Sequence, residues 1–146
     1  MIEIRGYRFP AGLLYDVANH CWYRREADGT ITLGMTEIAA VLAGPVLAFT
    51  PRRVGLALEA GRSCAVIESG KWVGPVRAAF AGMVVAVNDA LIADPQGINR
   101  DPYGAGWMIR ARPDDAVALD GLVGGNALEA AYEAWMAAEA FPAREI

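Results

Sequence analysis

The sequence has one lysine, one histidine and two cysteines among its 146 residues. A single histidine, His20, excludes a histidine-rich metal site, and Cys21 and Cys64 lack the CxxC spacing of a zinc or redox pair. Two cysteines also provide no disulfide framework, so we expect a reducing compartment, the cytoplasm. The sequence therefore predicts neither a metal centre nor a disulfide-stabilised secreted domain.

Excess positive charge and long apolar runs are also absent. The net charge is −4, which argues against a nucleic-acid partner or an anionic membrane surface. The longest apolar stretch, Ala39–Phe49, has 11 residues and contains Gly44-Pro45, so it is too short to span a bilayer. The first residues lack the layout of a signal peptide. With 55% hydrophobic residues, the chain has enough apolar surface for one folded core.

The basic residues are strongly biased toward arginine. Twelve are arginines, and the one lysine is Lys71. Where only a solvated charge is needed the two types are interchangeable, so the surviving lysine is a candidate for chemistry that arginine cannot perform. An ε-amino group forms an amide or a Schiff base, whereas a guanidinium does not lose its proton.

Short runs rich in β-forming residues alternate with turn residues between Trp22 and Ala111. This spacing predicts a mainly β fold, a flattened β-sandwich or barrel, rather than alternating βαβ units. We expect this domain to occupy residues 1–113 and a helical extension, packed on it, to occupy residues 114–146. The predicted strands are Thr30–Gly34, Val46–Thr50, Cys64–Ser69, Val73–Ala79, Met83–Asn88 and Trp107–Arg112.

Three helices are predicted from capping residues and periodicity. Thr36 is placed to cap Glu37–Ala43, and Asp89 is placed to cap Ala90–Ala93. A longer helix is expected from Asn126 through Ala140. Its apolar residues repeat at helical spacing, which predicts one face packed on the rest of the chain: Leu128, Tyr132, Trp135 and Met136.

Gly70-Lys71 stands between two apolar runs, which predicts a hairpin with a two-residue turn. Gly70 would supply the positive φ of a type II′ turn. Lys71 would then lie at an exposed tip, where a modifying enzyme reaches its amine and an attached group moves freely. An ordinary solvated lysine stays an alternative at this point.

From Tyr15 to Arg112 the chain resembles the H protein of the glycine cleavage system, a member of the lipoyl and biotinyl domain family. The resemblance rests on His20-x-Trp22, Gly34-Met35-Thr36, Glu68-Ser69-x-Lys71, Gly82 before Val87-Asn88, and Asn99-x-Asp101-Pro102-Tyr103-Gly104-Ala105-Gly106-Trp107. It implies a barrel-sandwich hybrid fold with lipoic acid in amide linkage on Lys71. It also implies a carrier protein without catalytic residues, rather than an enzyme. The flanking residues Glu68, Gly70 and Trp72 are the other candidate cofactor-site residues, and Glu68 is a candidate for recognition by the lipoate-attaching enzyme.

The hairpin tip departs from the usual H-protein pattern because Trp72, Val73, Gly74 and Pro75 follow the lysine. In this it resembles the lipoate-binding proteins of the sulfur-oxidising heterodisulfide-reductase-like system. That resemblance implies an arm that shuttles sulfur intermediates to such a complex during cytoplasmic oxidation of reduced sulfur compounds, and we take it as the leading hypothesis. An aminomethyl carrier of glycine cleavage is the alternative, and an unmodified β-rich interaction domain stays open. Expected partners are a lipoate-protein ligase or another lipoylation enzyme, and a dihydrolipoamide dehydrogenase.

Overall fold

The computed structural model describes residues 1–115 and 118–139 and confirms a mainly β fold with short helices and a C-terminal helix. No helix within those residues is long and apolar enough to cross a membrane. The strands are β1 (Ile2–Ile4), β2 (Tyr7–Phe9), β3 (Leu14–Asp16), β4 (Cys21–Arg25), β5 (Ile31–Met35), β6 (Val46–Pro51), β7 (Ala57–Leu58), β8 (Ser63–Ser69), β9 (Val73–Arg77), β10 (Gly82–Val87) and β11 (Ile109–Pro113). The helices are α1 (Glu37–Ala43), α2 (Asp89–Ala93), α3 (Gly97–Arg100) and α4 (Ala127–Ala138).

Two antiparallel sheets form the body of the molecule. The larger has the order β3-β4-β5-β11-β10-β7, and the smaller has the order β6-β8-β9. Their facing side chains share one apolar core, which includes Leu33, Ile67 and Ile109. Strand β8 alternates between buried and exposed residues over most of its length, as a strand with one face on a core should. All five residues of β5 are buried, because this strand is covered on both faces.

A second apolar cluster covers the outer face of the larger sheet. The β1–β2 hairpin and α4 pack there around Trp22, which is fully buried and donates its indole N–H to the carbonyl of Pro102 at 2.9 Å. Leu128, Tyr132 and Met136 form the buried face of α4. The helix is therefore packed on the β domain, while the division of the chain at residue 113 stays a prediction.

The local signals for helices have mixed outcomes. Thr36 caps α1 as predicted, since its hydroxyl accepts the N–H of Ala39, and the helix stops at Gly44. The predicted cap of the second helix is wrong by one residue: α2 already includes Asp89, and Asn88 precedes it. The predicted end of α4 at Ala140 lies outside the described residues, of which Ala138 is the last in the helix.

Candidate functional site

The lysine lies at the tip of the β8–β9 hairpin. Glu68 pairs with Val73, and the N–H of Ser69 donates to the carbonyl of Trp72 at 2.7 Å, which leaves Gly70 and Lys71 as the two turn residues. Lys71 is exposed. None of the ion pairs formed within residues 1–115 and 118–139 involves it. Its amine is therefore open to a modifying enzyme.

The predicted conformation of Gly70 is wrong. The φ angle of Gly70 is not positive, nor is that of Lys71, so the turn is not of type II′. A methyl group added at Gly70 would meet no atom within 4 Å. This glycine is thus required neither by backbone strain nor by a close contact, and its place in the candidate cofactor site rests only on its position beside the lysine.

The stem of Lys71 lies across the end of α1 at Gly44. A Cβ on Gly44 would stand 3.1 Å from the lysine Cε and 3.7 Å from Nζ, so a larger residue there would displace the stem. Gly44 also has a φ of 74°, in the region that favours glycine. Asn99 fixes this turn, because its Nδ2 donates to the Gly44 carbonyl at 2.8 Å and its Oδ1 accepts the N–H of Val46 at 2.9 Å.

Asn99 and Gly44 support the lysine through this turn, a role that the sequence reasoning did not predict. In the sequence, two features marked these residues: Gly44 belongs to the helix-stopping Gly44-Pro45 pair, and Asn99 begins the Asn-x-Asp-Pro-Tyr-Gly stretch.

A cleft of about 380 Å³ opens beside the hairpin. Its lining comes from β9 and the residue before it, from the end of α1, and from the segment that leads into β4. The described residues that line the cleft include no Asp or Glu, and its charged side chain is that of Arg77. The lining is otherwise mostly apolar and includes Met35, Ala39, Leu42, Ala43, Trp72, Pro75 and Val76.

His20 also lines this cleft. Its ring meets the edge of Trp135 on α4, with ring centroids 4.4 Å apart, and its backbone has a φ of 55°. Burial lowers the pKa of His20 to about 4, against a smaller opposing effect of Asp16. Its Nδ1 is buried and has no hydrogen-bond partner among the described residues. His20 is therefore a neutral packing residue at neutral pH, held between the cleft and α4.

The depressed pKa makes the fold sensitive to acid. The unfolded chain binds a proton at His20 near pH 6.5 and the folded chain only near pH 4, so stability falls as the pH drops through that interval. Asparagine tolerates the positive φ at this position but does not titrate. Between pH 7.5 and pH 4, we therefore expect the free energy of unfolding of His20→Asn to fall by on the order of 2 kcal/mol less than that of the wild type. Urea denaturation at both pH values measures this difference. Parallel losses in the two proteins would contradict the assignment.

The two cysteines are unpaired and inert. Cys64 is buried in β8, and burial raises the pKa of its thiol to about 12. Cys21 lines the cleft but is only 1% exposed, and burial raises its pKa well above the usual range. Since the thiolate is the reactive form, neither cysteine is an effective nucleophile in this conformation. Within the described part of the chain, no group of three or more His, Cys, Asp or Glu side chains is arranged to hold a metal ion.

Glu68 and Trp72 lie on either side of the lysine in the hairpin. Glu68 is exposed on β8, three residues before Lys71. Its recognition by a lipoate-attaching enzyme stays a prediction. Trp72 follows Lys71 directly and turns its ring toward β9 and the cleft.

A two-sheet β domain with an accessible lysine on a hairpin tip is the architecture of a carrier domain that holds a prosthetic group on a swinging arm. Residues 13–135 match the family model described as "Glycine cleavage H-protein". The chain belongs to the glycine cleavage H-protein family. Proteins of this family carry lipoic acid covalently attached to a lysine and act as carriers, not enzymes.

Individual relatives agree with this assignment. The chain is 44% identical over 116 residues to glycine cleavage system H protein 5 of Aquifex aeolicus, covering 77% of this chain and 78% of that protein. It is 41% identical over 124 residues to the H protein of Escherichia coli, covering 85% and 95% of the two chains. A crystal structure of the H protein from Mycobacterium marinum superposes with a TM-score of 0.74 at 32% identity, over 86% of this chain and 99% of that one.

Proposed function

We propose that Lys71 carries lipoic acid in amide linkage and that the chain moves a reaction intermediate between separate enzymes on this arm. The observation that supports the proposal is the placement of the single lysine of an H-protein-family chain on an exposed two-residue turn. The site suits the group: the amine is accessible, the stem has a groove at Gly44, and an apolar cleft adjoins the tip. When attached, the lipoyl group supplies a strained cyclic disulfide and, on reduction, a dithiol.

The cargo proposed first is the aminomethyl group of glycine cleavage. The support comes from the relatives described above, which are named glycine cleavage system H proteins and include one that is 95% covered by the match. The partners would then be the enzymes of glycine cleavage, a lipoylation enzyme and a dihydrolipoamide dehydrogenase. We propose that the protein works in the cytoplasm, and its two unpaired cysteines are consistent with a reducing compartment.

A sulfur intermediate is a second candidate cargo, and the cleft favours it. The aminomethyl group is a basic amine that a carboxylate would hydrogen-bond most strongly, yet the described cleft lining has neither Asp nor Glu and does have Arg77. A neutral or anionic sulfur group suits this lining better. The partner would then be a heterodisulfide-reductase-like complex, as the resemblance of the Trp72–Pro75 tip to the lipoate-binding proteins of that system implies.

Two measurements test the proposal. Intact-mass analysis of the protein from its native source should show one lipoyl group, localised to Lys71 by peptide mapping. The absence of any addition would contradict the proposal and favour an unmodified interaction domain.

The lipoylated protein is then offered to two enzyme systems. Incubation with glycine and a glycine decarboxylase should load the arm rapidly if the aminomethyl group is the cargo. No loading there, together with sulfur transfer to or from a heterodisulfide-reductase-like complex, would identify the sulfur cargo. A chain with Lys71→Arg is the control for both incubations, because it keeps the positive charge but provides no amine for the cofactor.

A further inference from the structure

The unmodified lysine is not free in all directions, because its stem lies against the backbone of Gly44. A Cβ at that position would stand 3.1 Å from the lysine Cε, which is tighter than ordinary van der Waals contact. Other glycines with a positive φ differ in this respect: a Cβ on Gly29, Gly55 or Gly61 would meet no atom within 4 Å. At Gly44, unlike those three, the neighbouring lysine is a second reason for glycine besides the backbone conformation.

Asn99 of α3 holds the Gly44 backbone in place. Its Nδ2 donates to the carbonyls of Gly44 at 2.8 Å and of Ala40 at 3.4 Å, and its Oδ1 accepts the N–H of Val46 at 2.9 Å. Val46 in turn pairs with Ser69, the last residue of β8 before the lysine turn. One side chain therefore ties the end of α1 to the base of the lysine hairpin.

The contact at Gly44 restricts the lysine before any enzyme binds it. A lysine has a long, flexible stem, and an enzyme that brings the amine to its active site must restrict the stem to a few rotamers, which weakens binding. A stem that already rests on Gly44 has fewer rotamers to lose. Lys71 nevertheless stays exposed, so the contact directs the amine without covering it.

We propose that Gly44 and Asn99 are positioning residues for the modification of Lys71, and that they present its amine to the lipoate-attaching enzyme in one orientation. In that reaction the neutral amine attacks the acyl carbon of an acyl adenylate, the activated form that a ligase makes from lipoate and ATP. The amide bond forms, AMP leaves, and the nitrogen gives up one proton. The contact acts on the free lysine, before the arm exists. This inference rests on the proposed lipoylation of Lys71, and it holds for either cargo.

The test compares two glycine substitutions with similar backbone strain. Gly44→Ala and Gly61→Ala place a methyl group at φ angles of 74° and 79°, but only the first methyl group meets the lysine stem. Each variant is incubated with lipoate, ATP and a lipoate-protein ligase that accepts the wild type, and the initial rate of lipoylation is followed by intact mass. We expect Gly44→Ala to lower kcat/KM about fivefold, as the ordering cost of one long side chain predicts, and Gly61→Ala to change it by less than about twofold.

Asn99→Asp tests the support of the contact while leaving Gly44 itself unchanged. The carboxylate keeps an acceptor for the N–H of Val46 but has no donor for the Gly44 carbonyl, so kcat/KM should again fall. Asn88→Asp is the matched control, because Asn88 also donates to two backbone carbonyls, both of which lie between α3 and β11 rather than at the end of α1. The Asn99 variant gives a result even if Gly44→Ala does not fold.

A small acylating reagent distinguishes orientation of the amine from its accessibility. Acetylation by an N-hydroxysuccinimide ester requires no oriented amine, so its rate at Lys71 should be the same in the wild type and in Gly44→Ala. Because the chain has one lysine, peptide mapping separates this reaction from that of the N-terminal amine. A reagent rate that falls together with the enzymatic rate would show that the amine had become buried, which contradicts the proposal.

The outcomes separate this inference from the proposed function. A native protein without a lipoyl group overturns the proposed function and this inference with it. A lipoylated protein whose Gly44→Ala and Gly61→Ala variants are modified at equal rates overturns only the inference. A loss in Gly44→Ala without one in Asn99→Asp would contradict the role of Asn99.

Discussion

Lys71→Arg is expected to abolish attachment of the cofactor and with it all transfer activity, while the fold stays intact. The substitution keeps a positive charge at an exposed turn position that makes no ion pair within the described residues, so its effect on stability should stay within about 0.5 kcal/mol. A guanidinium does not provide the neutral amine that forms the amide. Intact-mass analysis after lipoylation and a urea denaturation curve measure the two parts of this prediction.

A lysine placed elsewhere on the surface is the matched control. Arg62 is exposed in the turn before β8, and its side chain has a relative accessibility of 78%. In the double variant Lys71→Arg, Arg62→Lys, the chain again has one lysine, but away from the hairpin tip. We expect no lipoyl group on it. A lipoyl group on Lys71→Arg, or an efficient transfer of the modification to residue 62, would show that the hairpin does not define the site.

Trp22→Ala is expected to cause the largest loss of stability in the chain, about 3–5 kcal/mol, because it empties the centre of the second apolar cluster. Trp22 is fully buried, and its ring fits against β5 so closely that a Cβ on Gly34 would stand 2.8 Å away. The substitution also removes the donor to the Pro102 carbonyl. Urea denaturation, monitored by circular dichroism, measures the free energy of unfolding.

Two further variants make this result interpretable. Trp22→Phe keeps an aromatic ring and should give an intermediate loss, which supplies a value even if the alanine variant does not fold. Trp72→Ala removes the same side chain from a partly exposed position and should cost less than about 1 kcal/mol. Equal losses at positions 22 and 72 would contradict the packing described for the outer face of the sheet.

Much of the fold could be predicted because local signals and tertiary packing agree. Thr36 caps its helix, Gly44 ends it, and the alternating residues of β8 predict a strand with the observed face on the core. The lysine hairpin was predictable for the same reason, since two apolar runs flank one short turn. The sulfur-oxidation hypothesis depended on a few tip residues, and the comparisons support only the broader H-protein family.

The rest depends on contacts between distant segments. Strands β1 and β2 have three residues each, too few for an alternating pattern, and they are held by packing on Trp22 and α4. The cleft is lined by the segment before β4, α1 and β9, so no single stretch of sequence contains it. Cys21, the first residue of β4, is buried where these segments meet.

The position of β11 has a consequence for how the chain acquires its structure during synthesis. This strand pairs with β5 on one side and β10 on the other, although more than 70 residues separate it from β5 along the sequence. A nascent chain that has not yet left the ribosome as far as Pro113 therefore has two half-sheets with unpaired edges. Such long-range pairing is slow to form, and it makes the interval before β11 emerges the time of greatest exposure to aggregation.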